Sequence, residues 1–208
     1  MYRSNYITYC QYGKPAQCFI AITLGTGVGG GIILDGKIYS GHNGIAAELG
    51  HIVINENSEN CGCGRKGCWE SYASVSALIR QTKAAMKEDK NTIMHSLVSG
   101  NIDLVSGKTA FDAAKSGDKT AAMVVENYIN HISVGICNII NIFQPEVIAI
   151  GGAISKEGDY LLNPIKEYCQ RESYGGAFAD IPEITIASLG NDAGIIGAAM
   201  LGKSNGVV

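Results

Sequence analysis

A mixed α/β sheet with helices on both faces is the fold that this 208-residue sequence predicts. Short apolar runs near the N-terminus, joined by a hairpin turn, predict consecutive antiparallel strands. A long helix with an apolar stripe follows, and the last third of the chain alternates strand and helix, which is typical of parallel pairing. With 46% hydrophobic and 17% charged residues, the chain has the composition of an ordinary globular protein with a real core.

The antiparallel strands are predicted to follow a polar, irregular segment, residues 1–17, that differs from the rest of the chain. Residues 18–24 predict a buried strand, and a glycine-rich loop separates them from a second strand that begins at Ile32. An Asp-Gly pair then gives a strong hairpin signal. Residues 37–39 therefore return as a third strand.

Several helices are predicted between the third and fourth strands. Residues 69–87 have the apolar spacing of a helix, and residues 91–116 indicate short helices. Asp118 is a suitable N-cap for a long helix that ends before Pro145. The apolar stripe of this helix comprises Val124, Tyr128, Ile132, Ile136, Ile139 and Phe143.

The C-terminal part of the chain predicts parallel strands linked by helices. Its elements are a buried strand over 146–150, a helix over about 158–171, a strand over 183–188 and a helix over 193–201 that Asn191 and Asp192 cap. The complete order is similar to that of the ribonuclease-H-like lobe of actin and hexokinases, with a cysteine loop and helices inserted after the third strand. Those proteins carry two such lobes, and this chain has one.

Composition excludes some classes of partner. The net charge is −3 without a cluster of Lys and Arg, which argues against nucleic acid or an acidic membrane surface as the main partner. No run is apolar enough to span a bilayer, and the N-terminus lacks the layout of a signal peptide, so we expect a cytoplasmic protein. Reduced thiols are then expected at the scattered Cys10, Cys18, Cys137 and Cys169.

A cluster of three cysteines is the most distinctive motif. Cys61, Cys63 and Cys68 follow a C-x-C-x4-C pattern, and His51 precedes them. Three thiolates and an imidazole can provide the ligands of a tetrahedral zinc site, and the intervening glycines let the sulfurs converge. A disulfide would leave one thiol unpaired and would ignore the histidine. Because a site with four protein ligands has no open position, the predicted zinc is structural.

The glycine-rich loop at residues 24–31 is a candidate phosphate site. Its backbone N–H groups can bind phosphate oxygens without obstruction by side chains, and Thr26 adds a hydroxyl. The loop does not fit a dinucleotide fingerprint, because a strand follows it instead of a helix, and the partner motifs of protein kinases and Walker A loops are absent. A tight glycine turn without a ligand is the alternative. Gly151 and Gly152, at the end of a parallel-type strand, are a second place where a nucleotide could approach.

Two acidic residues flank the cysteine motif. Glu48 and His51 are three residues apart, so they share a face if the segment is helical. A His51 ring that binds zinc through one nitrogen keeps the other N–H for a substrate oxygen. Glu48 and Glu70 could accept hydrogen bonds from sugar hydroxyls beside this rigid centre. Solvated surface carboxylates without a ligand are the alternative.

Together these motifs resemble the ROK family of bacterial sugar kinases and repressors, particularly its glucokinase-like members. The likeness covers about residues 18–203, which places 18–208 as the C-terminal lobe of such a kinase. The matching segments are residues 24–31, 48–51, 61–70, 151–154 and 190–199.

The resemblance implies a role for each motif. It implies that His51, Cys61, Cys63 and Cys68 hold a structural zinc and that Glu48, His51 and Glu70 bind a hexose. It also implies contacts with ATP and its Mg²⁺ ion. The implied ATP-binding positions are Gly25, Thr26, Gly27, Gly29, Gly30, Gly151 and Gly152.

One departure from the family concerns the catalytic base. Family members begin with another lobe, which carries an Asp-x-Gly-Gly-Thr loop and an Asn-Asp pair whose aspartate takes the proton from the attacking sugar hydroxyl. Residues 1–34 of this chain contain no Asp and no Glu. No catalytic residue is therefore assigned in this chain, and we expect it to have little kinase activity alone.

Three functions are consistent with these motifs. The first is the C-terminal lobe of an ATP-dependent hexose kinase of the glucokinase type, in which the sugar 6-hydroxyl attacks the γ-phosphate. The second is the sugar-sensing domain of a ROK transcriptional repressor, although residues 1–17 are too short for a helix-turn-helix. The third is a non-catalytic sugar-binding or dimerisation module. Because a single lobe exposes its cleft wall, we expect a homodimer or higher homo-oligomer.

Overall fold

A five-stranded mixed sheet forms the centre of the computed structural model, which describes residues 16–187. The order across the sheet is β3-β2-β1-β4-β5. The strands are β1 (Phe19–Leu24), β2 (Val28–Leu34), β3 (Lys37–Ile38), β4 (Val147–Gly151) and β5 (Glu183–Ile186).

The pairing confirms the predicted α/β class. β1 is antiparallel to β2, and β2 is antiparallel to β3, whereas β1 pairs in parallel with β4 and β4 with β5. Parallel pairing of β1 with β4 places Thr23 opposite Gly151. The glycine turn after β1 and the Gly151-Gly152 pair at the end of β4 therefore lie side by side, at the carboxyl ends of the strands, where ligands of α/β proteins bind.

The second strand begins earlier than the sequence predicted, and this corrects the extent of the glycine loop. β2 starts at Val28, so Gly29 and Gly30 are strand residues and only residues 25–27 form the turn. A side chain at Gly30 is excluded by packing, because a Cβ there would lie 2.4 Å from the carbonyl oxygen of Ala47. The glycines therefore have two roles: some form the turn, and others allow neighbouring backbone to pack closely against β2.

The helices follow the predicted order, with one difference. They are α1 (Glu70–Ala73), α2 (Val75–Glu88), α3 (Met94–Leu97), α4 (Thr109–Lys115), α5 (Lys119–Phe143) and α6 (Asp159–Glu172). The single helix predicted over 69–87 is divided at Ser74, which is extended and accepts a hydrogen bond on its side chain from the Ala77 amide. Ser74 thereby caps α2 and ends α1.

Asp118 caps α5 as predicted. One of its carboxylate oxygens accepts the Ala121 amide at 2.8 Å, and the other accepts the Ile93 amide at 2.8 Å. This carboxylate thus joins the start of the longest helix to the short helices before it. The helix ends at Phe143, and its C-cap Gln144 has a left-handed φ of 40°, immediately before the proline that cannot continue the helix.

The sheet divides the core into a large and a small part. Ile20, Ile22 and Leu24 face the main core, which contains the apolar faces of the helices. Phe19, on the opposite face, belongs to a small cluster made of strand and loop residues only, within residues 16–187. The helix predicted over 193–201 lies outside the described residues. Within residues 16–187, no helix has both the length and the hydrophobicity needed to cross a bilayer.

Candidate functional site

The three cysteines and His51 converge as a candidate metal centre. Their ligand atoms all lie within 4.8 Å of one another; the Nδ1 atom of His51 is 3.6 Å from the Sγ atom of Cys61, and the Sγ atoms of Cys63 and Cys68 are 3.7 Å apart. Ligand atoms around a tetrahedral zinc are separated by about 3.5 to 3.8 Å. The residues therefore fit such an ion, whereas 3.7 Å is far longer than a disulfide bond.

Backbone turns bring these ligands together. Cys61 and Gly64 begin and end a tight turn in which the Gly64 amide donates to the Cys61 carbonyl at 3.0 Å. Gly64 and Gly67 have φ of 87° and 78°, values that side-chain-bearing residues rarely adopt. Cys68 pairs with Val53 in an antiparallel bridge, which closes the loop over residues 53–68.

The environment of the thiols changes their protonation in opposite directions. A backbone hydrogen bond from Arg65 lowers the pKa of the exposed Cys63 thiol. Burial raises the pKa of Cys68, and hydrogen bonds with the other two thiols raise it further. A cation that binds all three sulfurs must therefore displace a proton from Cys68.

The two nitrogens of His51 face different partners. Nδ1 points to the sulfur cluster, and Nε2 is 4.0 Å from the Oε2 atom of Glu48. The Glu48 side chain is 70% exposed, so it is open to a ligand from solvent. One ring nitrogen of His51 thus faces the candidate metal ligands, and the other stands beside an exposed acceptor.

Glu70 lies between the cysteine loop and the glycine turn. It is the first residue of α1; its Oε2 atom accepts the Val28 amide at 2.9 Å, and its Oε1 atom is 3.9 Å from the Sγ atom of Cys61. The structure therefore places Glu70 beside the metal centre, as predicted. The bond to Val28 was not predicted, because no local pattern connects two residues so far apart in the chain.

The glycine turn is held by the start of α2. The Val75 amide donates to the Gly25 carbonyl at 2.8 Å, and the Ser76 hydroxyl donates to the Thr26 carbonyl at 2.8 Å. Among the hydrogen bonds of residues 16–187, the amides of Thr26 and Gly27 donate to no protein acceptor. These two N–H groups are therefore the donors that the turn can offer to an anion.

Gly152 completes the neighbouring edge. Its φ is 99°, and a Cβ atom there would lie 2.2 Å from the Leu24 carbonyl oxygen. A glycine is required because the chain after β4 passes directly against the end of β1. Gly151 and Gly152 are thus brought beside the turn.

Trp69 is a buried residue that supports the site, and the sequence motifs did not indicate a role for it. Its side chain is completely buried, and its indole N–H donates to the His131 carbonyl at 2.8 Å. A Cβ atom at Gly135 would lie 2.0 Å from the indole ring, so the ring packs directly against the backbone of α5. The signal available in the sequence was the position of Trp69 between a metal ligand and Glu70.

The chain is similar to known proteins over most of its length. The model of the ROK family matches residues 7–205. A glucokinase from Streptomyces coelicolor is 38% identical over 193 residues, which are 92% of this chain and 61% of that protein. A xylose repressor from Caldicellulosiruptor bescii is 31% identical over 187 residues, which are 90% of this chain and 46% of the repressor.

Among solved structures, a ROK family glucokinase from Streptomyces griseus, crystallised with glucose and AMPPNP, is similar with a TM-score of 0.85 and 35% sequence identity. The similarity covers 96% of this chain and 66% of that one. This chain therefore spans less than two thirds of the length of the glucokinases that it matches.

Proposed function

The chain belongs to the ROK family, and we propose that residues 18–208 form the C-terminal lobe of an ATP-dependent hexose kinase of the glucokinase type. The observation that carries this proposal is the placement of Glu70, which touches both the Cys/His cluster and the glycine turn. The candidate sugar-binding residues and the glycine turn thus share Glu70. This proximity suits transfer of a phosphoryl group between two bound substrates.

The sugar wall comprises Glu48, His51 and Glu70. Glu48 is exposed and accepts hydrogen bonds from sugar hydroxyls, while the Nε2 atom of His51 donates to a neighbouring sugar oxygen. Glu70 offers its Oε1 atom, because Oε2 is bonded to Val28. The zinc ion that we propose for His51, Cys61, Cys63 and Cys68 supplies no reaction chemistry when bound and fixes the shape of this wall.

The residues that we propose to contact phosphate, the phosphate wall, are fewer than those of the predicted loop over 24–31. The amides of Thr26 and Gly27 are placed to donate to phosphate oxygens, and the Thr26 side chain is exposed beside them. We place the nucleoside of ATP beside Gly151 and Gly152, at the adjacent strand end. Gly29 and Gly30 shape the hairpin and are not proposed as phosphate contacts, because their amides lie within β2.

The catalytic base belongs, in this proposal, to a second lobe of the whole kinase. The sugar 6-hydroxyl attacks the γ-phosphorus, its proton passes to a carboxylate of that lobe, and ADP leaves with Mg²⁺. We propose that the whole enzyme is a cytoplasmic homo-oligomer.

Hexose-dependent release of ADP tests this function. We expect the 208-residue chain to release ADP at the background rate, and a fusion of the N-terminal lobe of the Streptomyces coelicolor glucokinase to residues 18–208 to release it in a glucose-dependent manner. The same fusion with Glu48→Ala is the control and should lose most of its rate, because a sugar ligand is removed. Rapid turnover by the 208-residue chain alone would refute the division of the site between two lobes.

A sensory domain of a sugar-responsive repressor is the second candidate, favoured by the 31% identity with the xylose repressor. This function needs the sugar wall but not the phosphate turn. A fusion that binds glucose and leaves ATP intact would therefore favour the repressor.

A further inference from the structure

The carboxylate of Glu70 is in close contact with the glycine turn. Its Oε2 atom accepts the amide of Val28, the first residue of β2, at 2.9 Å. A Cβ atom at Gly27 would lie 2.3 Å from the same oxygen, so only a glycine permits this approach. The turn is thus built around the carboxylate.

The segment that carries Glu70 is fixed at the cysteine loop. Cys68 is a candidate metal ligand two residues earlier, and it is fully buried. Ser71, one residue later, donates from its hydroxyl to the carbonyl of Asn60, which immediately precedes Cys61. Both neighbours of the Trp69-Glu70 pair are therefore tied to the loop that surrounds the ligands.

The same segment continues into two further contacts with the turn. The amide of Val75 and the hydroxyl of Ser76 donate to the carbonyls of Gly25 and Thr26, each at 2.8 Å. These bonds orient the peptide units whose N–H groups, at Thr26 and Gly27, donate to no protein acceptor among residues 16–187. Residues 68–76 thus begin in the cysteine cluster and end beside the glycine turn. Their hydrogen bonds reach Gly25, Thr26 and Val28.

From this arrangement we propose that Glu70 is a positioning residue through which an occupied Cys/His centre holds the glycine turn in its phosphate-binding shape. The inference rests on the proposed metal centre and adds a regulatory link within the proposed site: loss of the metal releases Cys68, displaces Glu70 and frees the Val28 amide. Metal occupancy then controls the phosphate wall as well as the sugar wall.

Hydrogen exchange of the Val28 amide tests the coupling directly. The measurement uses the ¹⁵N-labelled 208-residue chain, loaded with zinc or stripped by a chelator, with metal content measured on the same samples. Removing zinc should accelerate exchange at Val28 by about tenfold or more, since a hydrogen bond to a charged acceptor contributes that much to local protection. The Ile148 amide in the buried strand β4 should keep its rate.

Variants distinguish a specific role of the Glu70 carboxylate from general effects on folding. Glu70→Ala should give fast exchange at Val28 with or without zinc, whereas Glu70→Gln keeps an accepting oxygen and should retain protection and its response to zinc. Gly27→Ala should lose protection while still binding zinc, because it displaces the carboxylate without touching a ligand. Glu56→Ala, which removes an exposed carboxylate of the same loop, is the matched control and should behave as the parent.

The outcomes that oppose the coupling are distinct from failure of the kinase function. A Val28 rate that is unchanged when bound zinc is removed, or a Glu70→Ala variant that exchanges like Glu56→Ala, would overturn it. A chain that binds no zinc would overturn it together with the metal centre. Neither sugar nor ATP is present in the measurement, so the ADP-release assay remains an independent test of phosphoryl transfer.

Discussion

Replacing Cys68 by serine is expected to reduce zinc affinity by at least a hundredfold, because partners outside the ligand shell alone contribute about 10- to 100-fold. Cys68 is the buried member of the cluster, and its sulfur lies 3.7 Å from that of Cys63. Its loss leaves three ligands, and it also removes the ligand that lies two residues before Glu70 in the chain. The loop over residues 53–68 should then lose the stabilisation that metal binding gives to a folded state.

Competition between a chromophoric chelator and the protein measures this affinity. Cys18→Ser is the matched control, since Cys18 lies before β1 and is not in the cluster. The parent and this control should bind one zinc per chain with similar affinity. Equal affinity for Cys68→Ser would contradict the assignment of this thiol as a ligand.

Trp69→Ala is expected to lower the free energy of unfolding by about 3 to 5 kcal/mol, as large-to-small changes of a buried aromatic residue do. The indole is completely buried and fills the space that Gly135 leaves on α5. The variant also removes the hydrogen bond to the His131 carbonyl. Because Trp69 separates a metal ligand from Glu70, zinc affinity should fall in the same variant.

Denaturant unfolding monitored by circular dichroism measures the loss of stability. Phe178→Ala is the control, since Phe178 is an aromatic residue that is 74% exposed, and its removal should change the free energy little. Trp69→Phe keeps most of the buried volume and should be less destabilised than Trp69→Ala. A Trp69→Ala variant as stable as Phe178→Ala would mean that the ring does not support the site.

Features that depend on nearby residues could be predicted from the sequence. The strand pattern before the Asp-Gly turn, the cap at Asp118 and the spacing of Cys61, Cys63 and Cys68 each arise from neighbours along the chain. Their physical causes are short apolar runs bounded by a turn, an accepting carboxylate and a short glycine-containing loop. Convergence of His51 on the sulfurs was predicted from the chemistry of the ligand set alone.

Features that depend on contacts between residues far apart in the chain could not be predicted in the same way. Gly30 lies within β2, where the close backbone of Ala47 requires a glycine, and the sequence shows only another glycine of a loop. The break at Ser74 lets the start of α2 meet the turn, although the apolar spacing continues through it. The bond from the Val28 amide to Glu70 joins two motifs that local patterns describe separately.

Titration of the zinc-loaded, ¹⁵N-labelled 208-residue chain with a panel of hexoses is the most direct test of the central claim, that a metal-braced wall of Glu48, His51 and Glu70 binds a sugar. We expect at least one hexose to shift the amide resonances of these residues saturably. Glu48→Gln should abolish the shifts because the carboxylate that accepts the sugar hydroxyls is gone, while Glu56→Gln should preserve them. Absence of saturable shifts with every hexose, or equal binding by Glu48→Gln, would contradict the claim.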